Sequence, residues 1–111
     1  MKISYEDHET ITVLTASGVL TVDEGDAFRR ACEERFGRGV RDVVLDMSHL
    51  TMIDSVGLEN LLWLSESVAE RGGRLRLVNP DENIRTILRI TRLEAMFDVH
   101  ESVEEAGKSL R

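Results

Sequence analysis

The hydrophobic period changes repeatedly along this chain, and that switching constrains the fold more than any other feature. Ile3 and Tyr5 alternate with Lys2, Ser4 and Glu6, the pattern of a half-exposed edge strand. After the polar corner Asp7-His8-Glu9, Ile11 to Thr15 is β-branched and apolar, and the short connection predicts an antiparallel hairpin. Phe28, Ala31, Cys32 and Phe36 then fall on one face of a helix. Thr21 and Glu24 form a candidate capping box at its start. Arg35 and Arg38 lie near its end, where they suit the dipole, and Gly37 and Gly39 close it. Val43-Val44-Leu45 is unbroken and apolar, as a central parallel strand covered on both faces requires. A second helix, from about Asp54 to Arg71, closes at Gly72-Gly73, and Leu75, Leu77 and Val78 make a further strand. Asn79-Pro80 opens a third helix carrying Ile84, Ile87 and Leu88; a last strand over Met96–Val99 and a terminal helix over Val103–Leu110 complete the pattern. A hairpin followed by strand–helix alternation predicts one α/β domain over residues 1–111. Its sheet is mixed but mostly parallel, of about four to five strands with about four helices.

Composition narrows the function. At 111 residues a chain buries roughly two-thirds of its unfolded surface, so neither disulfides nor a structural metal is needed. The net charge of −7 argues against a cationic nucleic-acid surface. The one cysteine, Cys32, sits on the apolar face of the first helix, reads as core, and fits a reducing compartment. No apolar run approaches ~18 residues and Met1-Lys2-Ile3-Ser4-Tyr5 lacks a signal-peptide core, so a cytoplasmic protein without membrane insertion is expected. His8, His49 and His100 lie in three separate corners without ligand spacing, so no metal and no cofactor are expected. No Ser-His-Asp or Cys-His pairing and no glycine-rich phosphate loop can be placed, which disfavours an enzyme.

The informative segment is residues 43–64, where a buried strand ends at Asp46, a loop crosses the sheet edge and a helix begins near Asp54. Strand C-termini and the helix starts that follow them form the functional rim of open α/β sheets. Asp54 is a good N-cap, able to accept from the Val56 or Gly57 amide. This puts Ser55 at the first helical position, facing solvent, with free backbone N–H groups nearby. Gly57 has no Cβ, so a partner or a neighbouring strand can approach it closely. At ~100° per residue, Leu61, Leu62, Ser65, Val68 and Ala69 cluster around Leu58 as a core stripe, with Val56 and Trp63 nearly opposite. Trp63 is therefore expected to be exposed and part of a contact surface, unless a loop or the terminal helix covers it. Ser48 reads as a hydroxyl capping the bend after the strand, and Asp46 as a strand-end group orienting the loop. Arg85, Arg89 and Arg92 form a basic stripe, read as a solvated face that with Arg74 and Arg76 could meet an acidic partner.

Asp46-Met47-Ser48, five further residues, then Asp54-Ser55-Val56-Gly57-Leu58 resembles the signature of the STAS domain, and more narrowly that of bacterial anti-sigma factor antagonists. Gly18-Val19-Leu20, Gly72-Gly73 and Leu75–Val78 fall where that family has similar residues, so the resemblance spans residues 3–105. It implies that the unphosphorylated protein binds an anti-sigma factor, an ATP-dependent serine kinase, and frees the sigma factor. It implies further that this kinase phosphorylates Ser55 and that a metal-dependent serine phosphatase reverses the mark. Asp46, Ser48, Asp54 and Gly57 would surround the phosphosite, and Thr21, Val56, Leu58, Glu59 and Trp63 would meet the partner. Two positions depart from the family pattern: Val56 stands where a second Ser or Thr is usual, and Thr21 where an acidic residue is frequent. Both leave open a STAS adaptor without a phospho-cycle, as in a stressosome-like scaffold or a membrane transport machine. A weak homodimer is also left open.

Overall fold

The computed structural model describes residues 1–111. The chain opens with a hairpin of β1 (Lys2–His8) and β2 (Ile11–Leu20), then runs through α1 (Gly25–Gly37), β3 (Asp42–Ile53), α2 (Ser55–Glu70), β4 (Leu75–Val78), α3 (Glu82–Ile90), β5 (Asp98–His100) and α4 (Val103–Lys108). Short 3-10 turns at Val22–Glu24 and Glu94–Met96 precede α1 and β5. The strands lie in the order β1-β2-β3-β4-β5; β1 and β2 are antiparallel and the other neighbours parallel. This is the single α/β domain, mostly parallel, that the alternating periods predict.

Topology explains the layering. Each crossover from β2 onward steps one strand in the same direction, and right-handed crossovers of that kind stack their helices on one face. The main core accordingly joins Phe28, Cys32 and Phe36 of α1, Leu61, Leu64 and Val68 of α2, and Ile84 and Leu88 of α3 to Leu14, Val43, Leu45, Met47 and Leu77 of the sheet. The opposite face is closed by α4, whose Ala106, with Leu110 just beyond it, packs on Val44 and Val78. The sheet is thus covered on both sides at β3 and β4, as the Val43-Val44-Leu45 run requires.

Two sequence expectations change here. The segment after Asp46 is not a loop: β3 continues to Ile53 and pairs with β2 as far as Leu20↔Ile53. Two register shifts, between Thr15 and Ser17 and between Gly18 and Val19, give β3 an extra residue at each. Met47, Leu50 and Ile53 therefore turn inward at a spacing of three. Nor do Thr21 and Glu24 form a capping box. Thr21 makes no side-chain cap hydrogen bond; the Glu24 amide donates to its carbonyl, and α1 starts at Gly25.

Candidate functional site

The end of β2 and the end of β3 reach the same rim of the sheet, and there one carboxylate ties the two corners together. Asp54 has extended backbone and caps α2, its Oδ1 accepting from the Gly57 amide at 2.8 Å. Its Oδ2 accepts from the Val22 amide at 2.9 Å, across the gap to the turn that leads into α1. Its own amide donates to the Leu20 carbonyl at 3.3 Å. These donated bonds, the Gly57 amide foremost, hold the Asp54 carboxyl below the usual carboxylate range.

Ser55, next in the chain, is the first residue of α2 and is exposed. As the N-cap reading expects, Asp54 holds the Gly57 amide, so not every N–H beside Ser55 is free. Gly57 is buried, and a Cβ there would press on the Leu20 carbonyl and on Ile53. The close approach allowed by its missing side chain is made by the neighbouring strand.

The helical wheel needs turning. Gly57, Leu61, Leu64 and Val68 form the buried stripe of α2, about 90° around from the one centred on Leu58. Leu58 and Leu62 flank it, half-buried against the main core. Trp63 is not exposed. It is half-buried against the same core, with the Arg29 guanidinium of α1 4.9 Å above its ring and Arg29 Nε donating to Asn60 Oδ1. Val56 is half-buried on the same α1-facing side. The cover over Trp63 is α1, because α1 and α2 are adjacent crossover helices on one face of the sheet. Glu59 is exposed, and Thr21 is half-buried beside the Val22 corner.

Asp46 and Ser48 lie elsewhere. Val43, Leu45 and Met47 face the three helices, so Asp46, alternating with them, projects on the α4 side. Its Oδ1 accepts from both the amide and the hydroxyl of Ser48, at 3.0 and 2.6 Å, and five residues of β3 separate that pair from Asp54. Two exposed apolar residues belong to these corners instead: Val22, 62% exposed, whose amide Asp54 holds, and Met52, 56% exposed, two residues before Asp54 in β3. Neither was singled out from the sequence. The available signal was an apolar residue next to Thr21 and another two positions before Asp54, neither with a place in a core stripe.

Other candidates resolve simply. Cys32 is buried, its thiol pushed up to about 12 by that burial and then by Glu33. The basic stripe is dispersed: Arg85 donates to the Pro80 carbonyl, Arg89 meets Glu94, and Arg74 and Arg76 are held by Asp42, Asp98 and the residues just after α4, Leu110 and Ser109. No group of three or more His, Cys, Asp or Glu side chains is arranged to hold a metal ion. No helix is long and apolar enough to cross a membrane.

A family model described as the STAS domain matches residues 2–106. The chain belongs to the STAS domain family. A relative from Thermotoga neapolitana, named as a candidate anti-sigma factor antagonist, is 26% identical over 103 residues, 92% of this chain and 91% of its own. The crystal structure of a candidate anti-sigma factor antagonist from Thermotoga maritima superposes with a TM-score of 0.91 at 22% identity, over 98% of this chain and 94% of that one. The anti-sigma factor antagonist SpoIIAA of Bacillus matches in its unphosphorylated form with a TM-score of 0.75, at 18% identity over 97% of this chain and 96% of that one. Its phosphorylated form gives 0.77, at 20% identity over 99% and 100%.

Proposed function

We propose that this STAS protein, with residues 1–111 acting as one unit, is an anti-sigma factor antagonist switched at Ser55. In the unphosphorylated state it binds an anti-sigma serine kinase and displaces the sigma factor; phosphorylation of Ser55 ends that binding and a serine phosphatase restores it. The observation that carries this reading is an exposed hydroxyl on a capped turn that Asp54 ties to the corner of exposed Val22.

The physical effect of the mark follows from its surroundings. Phosphorylation adds about −1.5 to −2 charge. Helix N-termini attract anions, but Asp54 already occupies the Gly57 and Val22 amides and repels a second negative group. The phosphate therefore stays on the surface, where an apolar interface would have to desolvate it at a cost of several kcal/mol. About 3 kcal/mol weakens binding more than a hundredfold. No refolding is needed, in keeping with a fold that matches SpoIIAA in both phosphorylation states.

Ser55→Ala is expected to bind the kinase like the wild type and to incorporate no phosphate. Ser55→Glu is expected to bind more than about tenfold more weakly while Tm moves by less than about 3 °C. Mass spectrometry after incubation with kinase and ATP checks the site, and phosphate on another residue overturns it. A wild-type protein that binds partners but never gains phosphate is instead the adaptor, a reading that Val56 and Thr21 leave open.

A further inference from the structure

The Asp54 carboxylate does more than cap a helix. A cap needs one oxygen and the Gly57 amide; the second oxygen reaches the Val22 amide, which belongs to a different corner of the sheet rim, 32 positions away in the chain. Val22 lies in a 3-10 turn of three residues with no buried side chain, so nothing apolar anchors that turn from within. It is held by the Glu24 amide on the Thr21 carbonyl, by the Glu24 carboxylate 3.5 Å from the N-terminal ammonium, and by the Val22 amide on Asp54; of these three, only the last reaches the start of α2. The side chain so held is among the most exposed large apolar groups of the molecule. Asp23 follows Val22 directly, Asp26 lies in the first turn of α1 and Glu59 near the start of α2, and all three are exposed, so the elements that meet here carry acidic side chains beside the apolar one.

We propose that Asp54 is the positioning residue of the Ser55 surface, locking the Val22 corner and the start of α2 into one recognition face for a partner with an apolar centre and a basic border. This deepens the antagonist reading and rests on it for the identity of the partner. The chemistry that sets Asp apart is the pair of accepting oxygens. Asn caps a helix about as well, since its one carbonyl oxygen serves the Gly57 amide. Its NH2 group can only donate, and would face the donating Val22 amide.

Asp54→Asn therefore separates the two bonds. By amide hydrogen exchange followed by NMR, the Val22 amide is expected to exchange at least about tenfold faster in Asp54→Asn while Gly57 keeps its protection. Unchanged protection at Val22, or loss at Gly57 together with Val22, overturns the proposal. The second arm measures affinity for the serine kinase that labels wild-type Ser55. Asp54→Asn and Val22→Ala, an exposed site where truncation leaves the fold intact, are each expected to weaken binding about tenfold. The double variant is expected to be no weaker than about the single ones, because both remove the same contact. A multiplied loss of about a hundredfold overturns the coupling. The exchange arm needs no partner. It decides the staple even where no kinase labels Ser55, a result that removes the antagonist reading alone.

Discussion

At the scale of single residues, Gly57 shows how close the rim is built. Elsewhere in a helix, Gly→Ala gains up to about 1 kcal/mol, because alanine loses less backbone freedom. At Gly57 a methyl would meet the Leu20 carbonyl, and backbone cannot swing aside as a side chain can. Overpacking of this kind costs about 1–3 kcal/mol and exceeds the propensity gain. Gly57→Ala is thus expected to lower stability in urea unfolding by about 1–3 kcal/mol. Gly107, also helical but with open space around the position of a Cβ, is the control: Gly107→Ala is expected to be neutral or to gain up to about 1 kcal/mol. Equal effects at the two sites would mean that the approach of β2 to α2 is not what selects glycine.

At the scale of elements, each misreading of the sequence has a physical source. The hairpin, α1, α2 and α3 were legible because their apolar residues recur at periods of 2 or 3.6. The second half of β3 was not, since its two bulges space Met47, Leu50 and Ile53 three apart, a period belonging to neither element. The Asp54 cap and the exposed Ser55 were legible from residue type and position. Trp63 was misplaced because a wheel centred on Leu58 takes half-buried flanks for the core, and only tertiary structure shows α1 lying over the far flank. Arg35 escaped for a similar reason. Read as a dipole partner at the end of α1, it is buried, 2.6 Å from Asp7 of β1 and with its guanidinium 3.5 Å above the Tyr5 ring. That contact pins the edge strand to α1, and Asp7 also accepts from buried Thr12. Arg35→Met keeps most of the apolar stem and removes the charge. Because Asp7 still reaches water, the expected loss in urea unfolding is about 1–3 kcal/mol, below that of a fully buried broken pair. A matching loss in Asp7→Asn, with the double variant little worse than either, would confirm that one interaction is being measured.

At the scale of the whole molecule, stability against pH reports how the two strongly placed ionisable groups are built in, and they act in opposite directions. Asp54 has its carboxyl held down by backbone amides, so its contribution is full above the ordinary carboxylate range and is lost as pH falls through it and below. Cys32 is raised from 9.0 to about 12 by burial, because the core accepts the neutral thiol and rejects the thiolate. Below pH 9 both the folded and the unfolded chain carry that proton, and the contribution is full. Above it the unfolded chain releases the proton while the native protein keeps it, so unfolding gains about 1.4 kcal/mol per pH unit. Tyrosine and lysine titrate in the same range, so the test is a difference between two proteins. Cys32→Ala starts less stable, having lost a buried sulfur, but has no thiol to ionise. The stability gap between wild type and Cys32→Ala, from urea unfolding at steps between pH 8 and 11, is expected to narrow by about 1.4 kcal/mol per unit above 9. A gap that stays constant would mean that water reaches Cys32 on the native side, and that the packing of α1 on the sheet is looser than its burial indicates.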